Sequence, residues 1–319
     1  MTETAPVFGL VSDDISQVTE RLRGLAQDQH ALLGETLAYI FETGGKRIRP
    51  ALVMLSGRLG GYDLDRLVTL AAAIEVVHSA TLVHDDTIDQ ALTRRGLKTV
   101  SALWNSNIAV LVGDFLFAQS AHLAAQLDEV RIMRLMSETV MAMSAGELRQ
   151  YAASQSLAID ESDYFQRITG KTASLFAMCC EAAGIVSRQP ERQINALRSY
   201  GTNLGLAFQI VDDILDFSGT PEQLGKPAGS DLRQGTVTLP AILFAESLPT
   251  DSPLLDDIRS GRNVDAAITA IAASPALDAA TNRAREYADA ACGALSAFPA
   301  SEAKNALLQL ADHVISRRN

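Results

Sequence analysis

Apolar residues recur along almost the whole chain at intervals of three and four, the spacing of one face of an α-helix. No stretch shows the strict alternation of a half-buried strand, and alanine and leucine abound. Residues 11–32 and 33–43 read as two amphipathic helices, the second stopped at Gly44-Gly45. A third runs from KRIRP to about Leu59, and Gly60-Gly61-Tyr62-Asp63 is a turn. Residues 64 to about 91 form a long, mostly apolar helix, followed by a polar loop, TRRGLKT. Helices are expected over 100–127 and 129–153, and Asp160 to Ser162 cap another that runs to about 186. After a turn at 188–191 the next helix covers 191–218. A Gly/Pro-rich loop at 218–238 is long for a compact domain, and loops of that length are usually functional or disordered. Breaks at Pro249, Gly261, Pro275 and Pro299 divide the remainder into shorter helices. The expected fold is all-α, a helical bundle. No linker or low-complexity segment demands a second domain, so residues 1–319 are expected to form one.

The composition narrows the function. With 319 residues, 47% of them hydrophobic, the chain can bury a large core. A net charge of −11 argues against a general nucleic-acid partner, while leaving room for a local basic pocket. The three cysteines, Cys179, Cys180 and Cys292, lack metal-ligand spacing and read as buried, reduced thiols. The N-terminal MTETAPVFGL has no basic segment followed by a long apolar one. No run of about 18 uncharged apolar residues occurs, so no membrane span is expected and the location expected is cytoplasmic.

Against this apolar background one stretch stands out. LVHDDTID, residues 82–89, places Asp85, Asp86 and Asp89 late in a long apolar helix. On a helix Asp85 and Asp89 are one turn apart on one face, with Asp86 beside them. Negative charge is disfavoured near a helix C-terminus and costly among apolar neighbours, so a cation should offset it. The device recurs as QIVDDILDF, with Asp212, Asp213 and Asp216. Hard carboxylate oxygens suit Mg²⁺, which is usually held by one or two carboxylates together with substrate phosphates.

Cations cluster nearby in sequence. Lys46, Arg47 and Arg49 open a helix, Arg94 and Arg95 follow the first aspartate row, Lys171 precedes Thr172, and Lys226 lies in the long loop. Singly each reads as a solvated surface charge; together they suggest pockets for polyanions. Glu75 and His78 form one Glu-x-x-His pair, half of a di-iron carboxylate site, but no second pair exists. His78 then reads as a donor to an anion, His84 as support for Asp85, and Gln209, one turn before Asp213, as facing the same cleft or as a buried structural amide.

In this order GGKRIRP, HSATLVHDDTID, TRRG, KTASLF, FQIVDDILDF and GKPAGSDLRQGTVTLP resemble the trans-isoprenyl diphosphate synthases, or polyprenyl synthetases. The resemblance implies the isoprenoid synthase type I fold, an all-α bundle around a central cavity, usually a homodimer. It implies that Asp85, Asp86, Asp89, Asp212, Asp213 and Asp216 bind Mg²⁺, three ions per site. Lys46, Arg49, His78 and Arg95 would hold isopentenyl diphosphate. Arg94, Lys171, Thr172, Gln209 and Lys226 would hold the allylic partner, farnesyl or geranylgeranyl diphosphate, with Lys171 also counted as catalytic. The family often has a lysine where this chain has Thr236, so either the allylic diphosphate is held less tightly there or Arg233 compensates.

The same resemblance bears on product length. In the family, bulky aromatics just before the first row give short products, whereas here Ala80 and Thr81 are small and Val77 and Ile74 are not aromatic. The floor of the tunnel would lie deeper, among Phe115, Phe117, Met133 and Met136, unless these are ordinary core. With GDFLF and AGELRQ, this implies an all-trans product of about C30 to C50, with C20 or farnesyl synthesis as the alternative. A class I terpene cyclase would carry Ser/Thr and Glu where Asp216 and Thr220 stand, and a non-catalytic synthase subunit would lose the aspartates that this chain keeps.

Overall fold

The computed structural model describes residues 8–27, 29–43, 45, 47–94, 96–157, 159–219 and 227–317. Its helices are α1 (Ser12–Gln27), α2 (Ala31–Glu42), α3 (Ile48–Gly57), α4 (Leu64–Ile88), α5 (Val100–Leu103), α6 (Ser106–Ala125), α7 (Val130–Ser156) and α8 (Glu161–Ile168). They continue with α9 (Ser174–Val186), α10 (Glu191–Ser218), α11 (Ser230–Arg233), α12 (Leu239–Ser247), α13 (Pro253–Ser260), α14 (Val264–Ala272), α15 (Ala276–Ala294) and α16 (Glu302–Ser316). Strand pairing among the described residues is confined to one hairpin, β1 (Thr93–Arg94) with β2 (Leu97–Lys98), antiparallel. The all-α expectation holds. The TRRGLKT loop is this hairpin, with Gly96 at φ +78° in its turn.

The chain divides into two compact units. The first comprises Met1–Val140, Met178–Arg198 and Ala297–Leu307. Its central element is α4, which starts where the Asp63 carboxylate accepts the Arg66 N–H. Leu67, Leu70, Ile74, Val77 and Ala80 are fully buried, and burial runs around the whole helix, as expected for one apolar on every side. It packs chiefly against α6, and also against α1 and α3. The expected helix over 100–127 is broken at Trp104-Asn105, because the Asn105 side chain accepts the Ile108 N–H and starts α6 afresh. By length and composition α4 and α6 could each cross a membrane. The most apolar window of α4 is 72% buried inside the protein and that of α6 39%.

A buried ion pair ties the start of α3 to α4. Arg47, at φ 52°, donates to Glu75 at 2.7 Å and to the Phe41 carbonyl at 2.9 Å. The side chains are 14% and 8% exposed. Glu75 thus serves Arg47, which removes it from any metal pair with His78. Glu75→Ala leaves a guanidinium buried without its counter-charge and is expected to cost about 3–5 kcal/mol. Urea unfolding measures it, and a loss under about 1 kcal/mol would contradict this role.

The second unit comprises Met141–Ala177, Ser199–Ser296 and Leu308–Asn319. Its core gathers Tyr164, Ile210, Leu239, Ile242, Ile258, Ile271 and Ala280. The helix expected from 162 to 186 is interrupted. Asp160 caps α8 as expected, accepting the N–H groups of Ser162 and Asp163, but Thr169–Ala173 form a π-helical turn before α9 begins. Neighbouring helices press on this turn. A Cβ at Gly146 of α7 would lie 2.7 Å from the Lys171 nitrogen, and one at Gly205 of α10 2.6 Å from the Ala173 Cα. Only glycine permits backbones that close. The long loop holds α11, and Gly261 ends α13 in the left-handed conformation.

Candidate active site

The first aspartate row ends α4 as the sequence predicts. Asp85 and Asp86 lie in its last turn, and Asp89 follows it, its N–H bonded to the Asp85 carbonyl at 2.8 Å. Asp86 is buried, Asp85 half-buried and Asp89 exposed. Arg94, on β1, donates from Nε to both oxygens of Asp86, at 2.8 and 3.0 Å. Burial pushes the Asp86 carboxyl up, Arg94 holds it down and Asp89 pushes it up again. His84 turns towards α6, with Nε2 3.1 Å from the Val110 carbonyl and its ring 5.5 Å from Phe117.

The second row lies late in α10, against a cavity of about 430 Å³ within the second unit. Its three carboxylates differ. Asp212 is 38% exposed and pairs with Arg317 at 3.1 Å. Asp213 is buried and receives the Tyr164 hydroxyl at 2.6 Å and the Gln209 amide at 2.8 Å. Asp216 is buried and accepts the Asp231 N–H at 3.1 Å, while its carbonyl accepts the Gly229 N–H, so it anchors the loop before α11. Across the same cavity Lys171 is paired with Glu147 at 2.5 Å and donates to Gln150 at 3.2 Å. Thr172 donates to Gln209 at 2.7 Å, so Thr172, Gln209 and Asp213 form one chain of hydrogen bonds.

Burial, and then the Asp231 charge, push the Asp213 carboxyl from 3.8 up to about 8, against the two donors that favour its ionised form. Between those values the folded metal-free protein holds a proton that the unfolded chain has lost. Its stability therefore falls as pH rises through that window and levels off above it. Unfolding midpoints in chelator across this range should show the decline, and Asp213→Asn should flatten it. A wild-type profile that rises over the window would contradict the assignment. Metal binding at this row should release the proton.

Among the described residues no three His, Cys, Asp or Glu stand close enough to hold a metal alone. The donor set is instead hard carboxylates beside a polar cavity, which fits a divalent ion completed by oxygens of a phosphorylated ligand. The family model for polyprenyl synthetases matches residues 30–273. The chain belongs to the polyprenyl synthetase family. Over 313 residues this synthetase is 38% identical to heptaprenyl diphosphate synthase component 2 of Geobacillus stearothermophilus, covering 98% of each chain. A polyprenyl synthase from Caulobacter crescentus, crystallised with calcium and isoprenyl diphosphate, is 37% identical with a TM-score of 0.92, over 98% of this chain and 97% of that one. A decaprenyl diphosphate synthase from Rhodobacter capsulatus is 34% identical with a TM-score of 0.91, over 98% and 99%. The chain is a prenyltransferase with their all-α fold.

In this synthetase Arg49 and His78 are half-buried on α3 and α4. Lys46, Arg95 and Lys226 lie outside the described residues. Thr236 lines the second-unit cavity, but Arg233 does not compensate there: it is paired with Asp265 and donates to the Ala228 carbonyl. Ala80 and Val77 are fully buried and Thr81 half-buried, its hydroxyl on the His78 carbonyl. Phe117 sits beside His84 near the aspartate row rather than deeper; Met136 is buried, and Phe115 and Met133 half-buried. Sequence reasoning missed Tyr164, Arg167, Asp231 and Arg317, all of which line the cavity. Each acts through a partner remote in sequence. Arg167, for example, is buried and donates to the Val237 carbonyl at 3.0 Å.

Proposed function

We propose that this synthetase condenses isopentenyl diphosphate with farnesyl or geranylgeranyl diphosphate to an all-trans product of about C30 to C50. The observation that carries the reading is the pair of aspartate rows, each ending a long apolar helix, the second beside a polar cavity that also holds Lys171 and Arg317. The heptaprenyl and decaprenyl names of the relatives support the product length. Asp85, Asp86 and Asp89 in one row, and Asp212, Asp213 and Asp216 in the other, hold Mg²⁺, three ions in all. Bound Mg²⁺ supplies the positive charge that stabilises a departing diphosphate.

The protein's own groups do the rest. Lys171, fixed on the π-helical turn by Glu147 and Gln150, places a cation where diphosphate charge develops, with Arg94, Lys226, Thr172 and Gln209 as further partners. Lys46, Arg49, His78 and Arg95 hold isopentenyl diphosphate. The allylic C–O bond breaks, its electrons leaving with the diphosphate. The isopentenyl double bond attacks the allylic cation, and the released diphosphate takes the proton. No side-chain nucleophile is required. The apolar residues of α4 exclude water from the cation.

A homodimer is part of the proposal. Leu103, Val110 and Leu111 are 41%, 45% and 67% exposed on α5 and α6, an apolar face that a second copy would cover. So is a cytoplasmic location, which cell fractionation tests. The test of activity is incorporation of labelled isopentenyl diphosphate, expected with Mg²⁺ and absent in chelator. Incorporation that persists in chelator would refute the metal-dependent reading.

A further inference from the structure

Arg317 follows α16, and beyond lining the cavity it has no role in the steps above. Its guanidinium is 3.1 Å from Asp212 and lies over the Phe208 ring, 4.6 Å from the centroid. The side chain is only 17% exposed. It also lines both the 430 Å³ cavity and a neighbouring one of about 630 Å³, which it shares with Val211, Ile214 and Ile315. Asp212 is the most accessible carboxylate of its row, so the guanidinium stands where a divalent ion would approach.

We propose that Arg317 is the resident counter-cation of Asp212, displaced by metal, and that this displacement makes metal binding depend on diphosphate. The inference rests on the metal reading of the second row. Mg²⁺ binds carboxylate oxygens directly at about 2.0–2.1 Å, and a guanidinium on the same oxygen opposes it by charge and by space. Metal arriving alone must break the pair and leave Arg317 without its anion. Metal arriving with diphosphate does not, because a diphosphate oxygen replaces Asp212 as the partner of Arg317. Each ligand then strengthens the other, as linkage requires.

Mn²⁺ binding, followed by the spectroscopic signal of the free ion, tests this in wild type and Arg317→Gln, with and without inorganic diphosphate, circular dichroism confirming the fold. The variant is expected to bind Mn²⁺ alone about fivefold more tightly, the size set by a partly exposed ion pair that no longer has to be broken. The enhancement by diphosphate should shrink in proportion. In an Asp212→Asn background the same substitution should change neither quantity. Unchanged or weaker binding of Mn²⁺ alone by Arg317→Gln overturns the proposal, as does an equal gain in the Asp212→Asn background. Absence of Mn²⁺ binding by wild type under both conditions would instead remove the metal reading itself.

Discussion

Asp212→Asn is expected to lower kcat/KM for isopentenyl diphosphate condensation by about a thousandfold while leaving the fold intact. The substitution keeps the size of the side chain and removes its charge. Losing one group aimed at the developing charge in other enzymes costs about 10²–10³ in rate, and a metal ligand sits at the upper end of that range. Asp212 is the member of its row where this effect separates most cleanly from stability. Asp213 and Asp216 are buried and hold Tyr164, Gln209 and the loop at Asp231 in place, so their removal disturbs structure as well. Asp212 is 38% exposed and pairs with Arg317. Steady-state kinetics with a circular dichroism spectrum checks the prediction. A drop of less than about tenfold in a folded variant would contradict the role given to Asp212.

Ala80→Phe should shorten the product by about two isoprene units or more. Ala80 is fully buried and lies one turn before His84, whose ring reaches the Val110 carbonyl on α6. Residues 77, 80 and 84 share a face, so Ala80 and Val77 lie on the side of α4 from which His84 reaches α6. A phenyl ring there fills space that a growing prenyl tail would use. Overpacking should cost about 1–3 kcal/mol of stability, within what a folded protein tolerates. Mass spectrometry of the extracted prenyl alcohols reads the result, and an unchanged distribution would refute the placement of the tail against Ala80.

The helices and the aspartate rows were legible in the sequence because their signals are local. A three-and-four apolar period and acidic residues at the end of an apolar run need no knowledge of the rest of the chain. Asp160 and Gly261 announced helix ends for the same reason. What was hidden depends on distant partners. Tyr164 reads as an ordinary aromatic of an amphipathic helix, and its hydroxyl acquires a role only because α10 brings Asp213 to it, 49 residues on. The π-helical turn at Thr169–Ala173 has a helical composition; the close approaches at Gly146 and Gly205 give it its setting. Arg233 looked available to replace a missing loop lysine, yet Asp265 on α14 claims it. Arg317 carries no local sequence signal that sets it apart, and only the fold places it on Asp212.

The central claim is that this synthetase builds a long all-trans prenyl chain from isopentenyl diphosphate. Its most direct test is to incubate the purified, folded protein with labelled isopentenyl diphosphate, geranylgeranyl or farnesyl diphosphate and Mg²⁺, then size the product. The account predicts all-trans products of about C30 to C50; no incorporation from either primer, or a product that stops at C20, would contradict it.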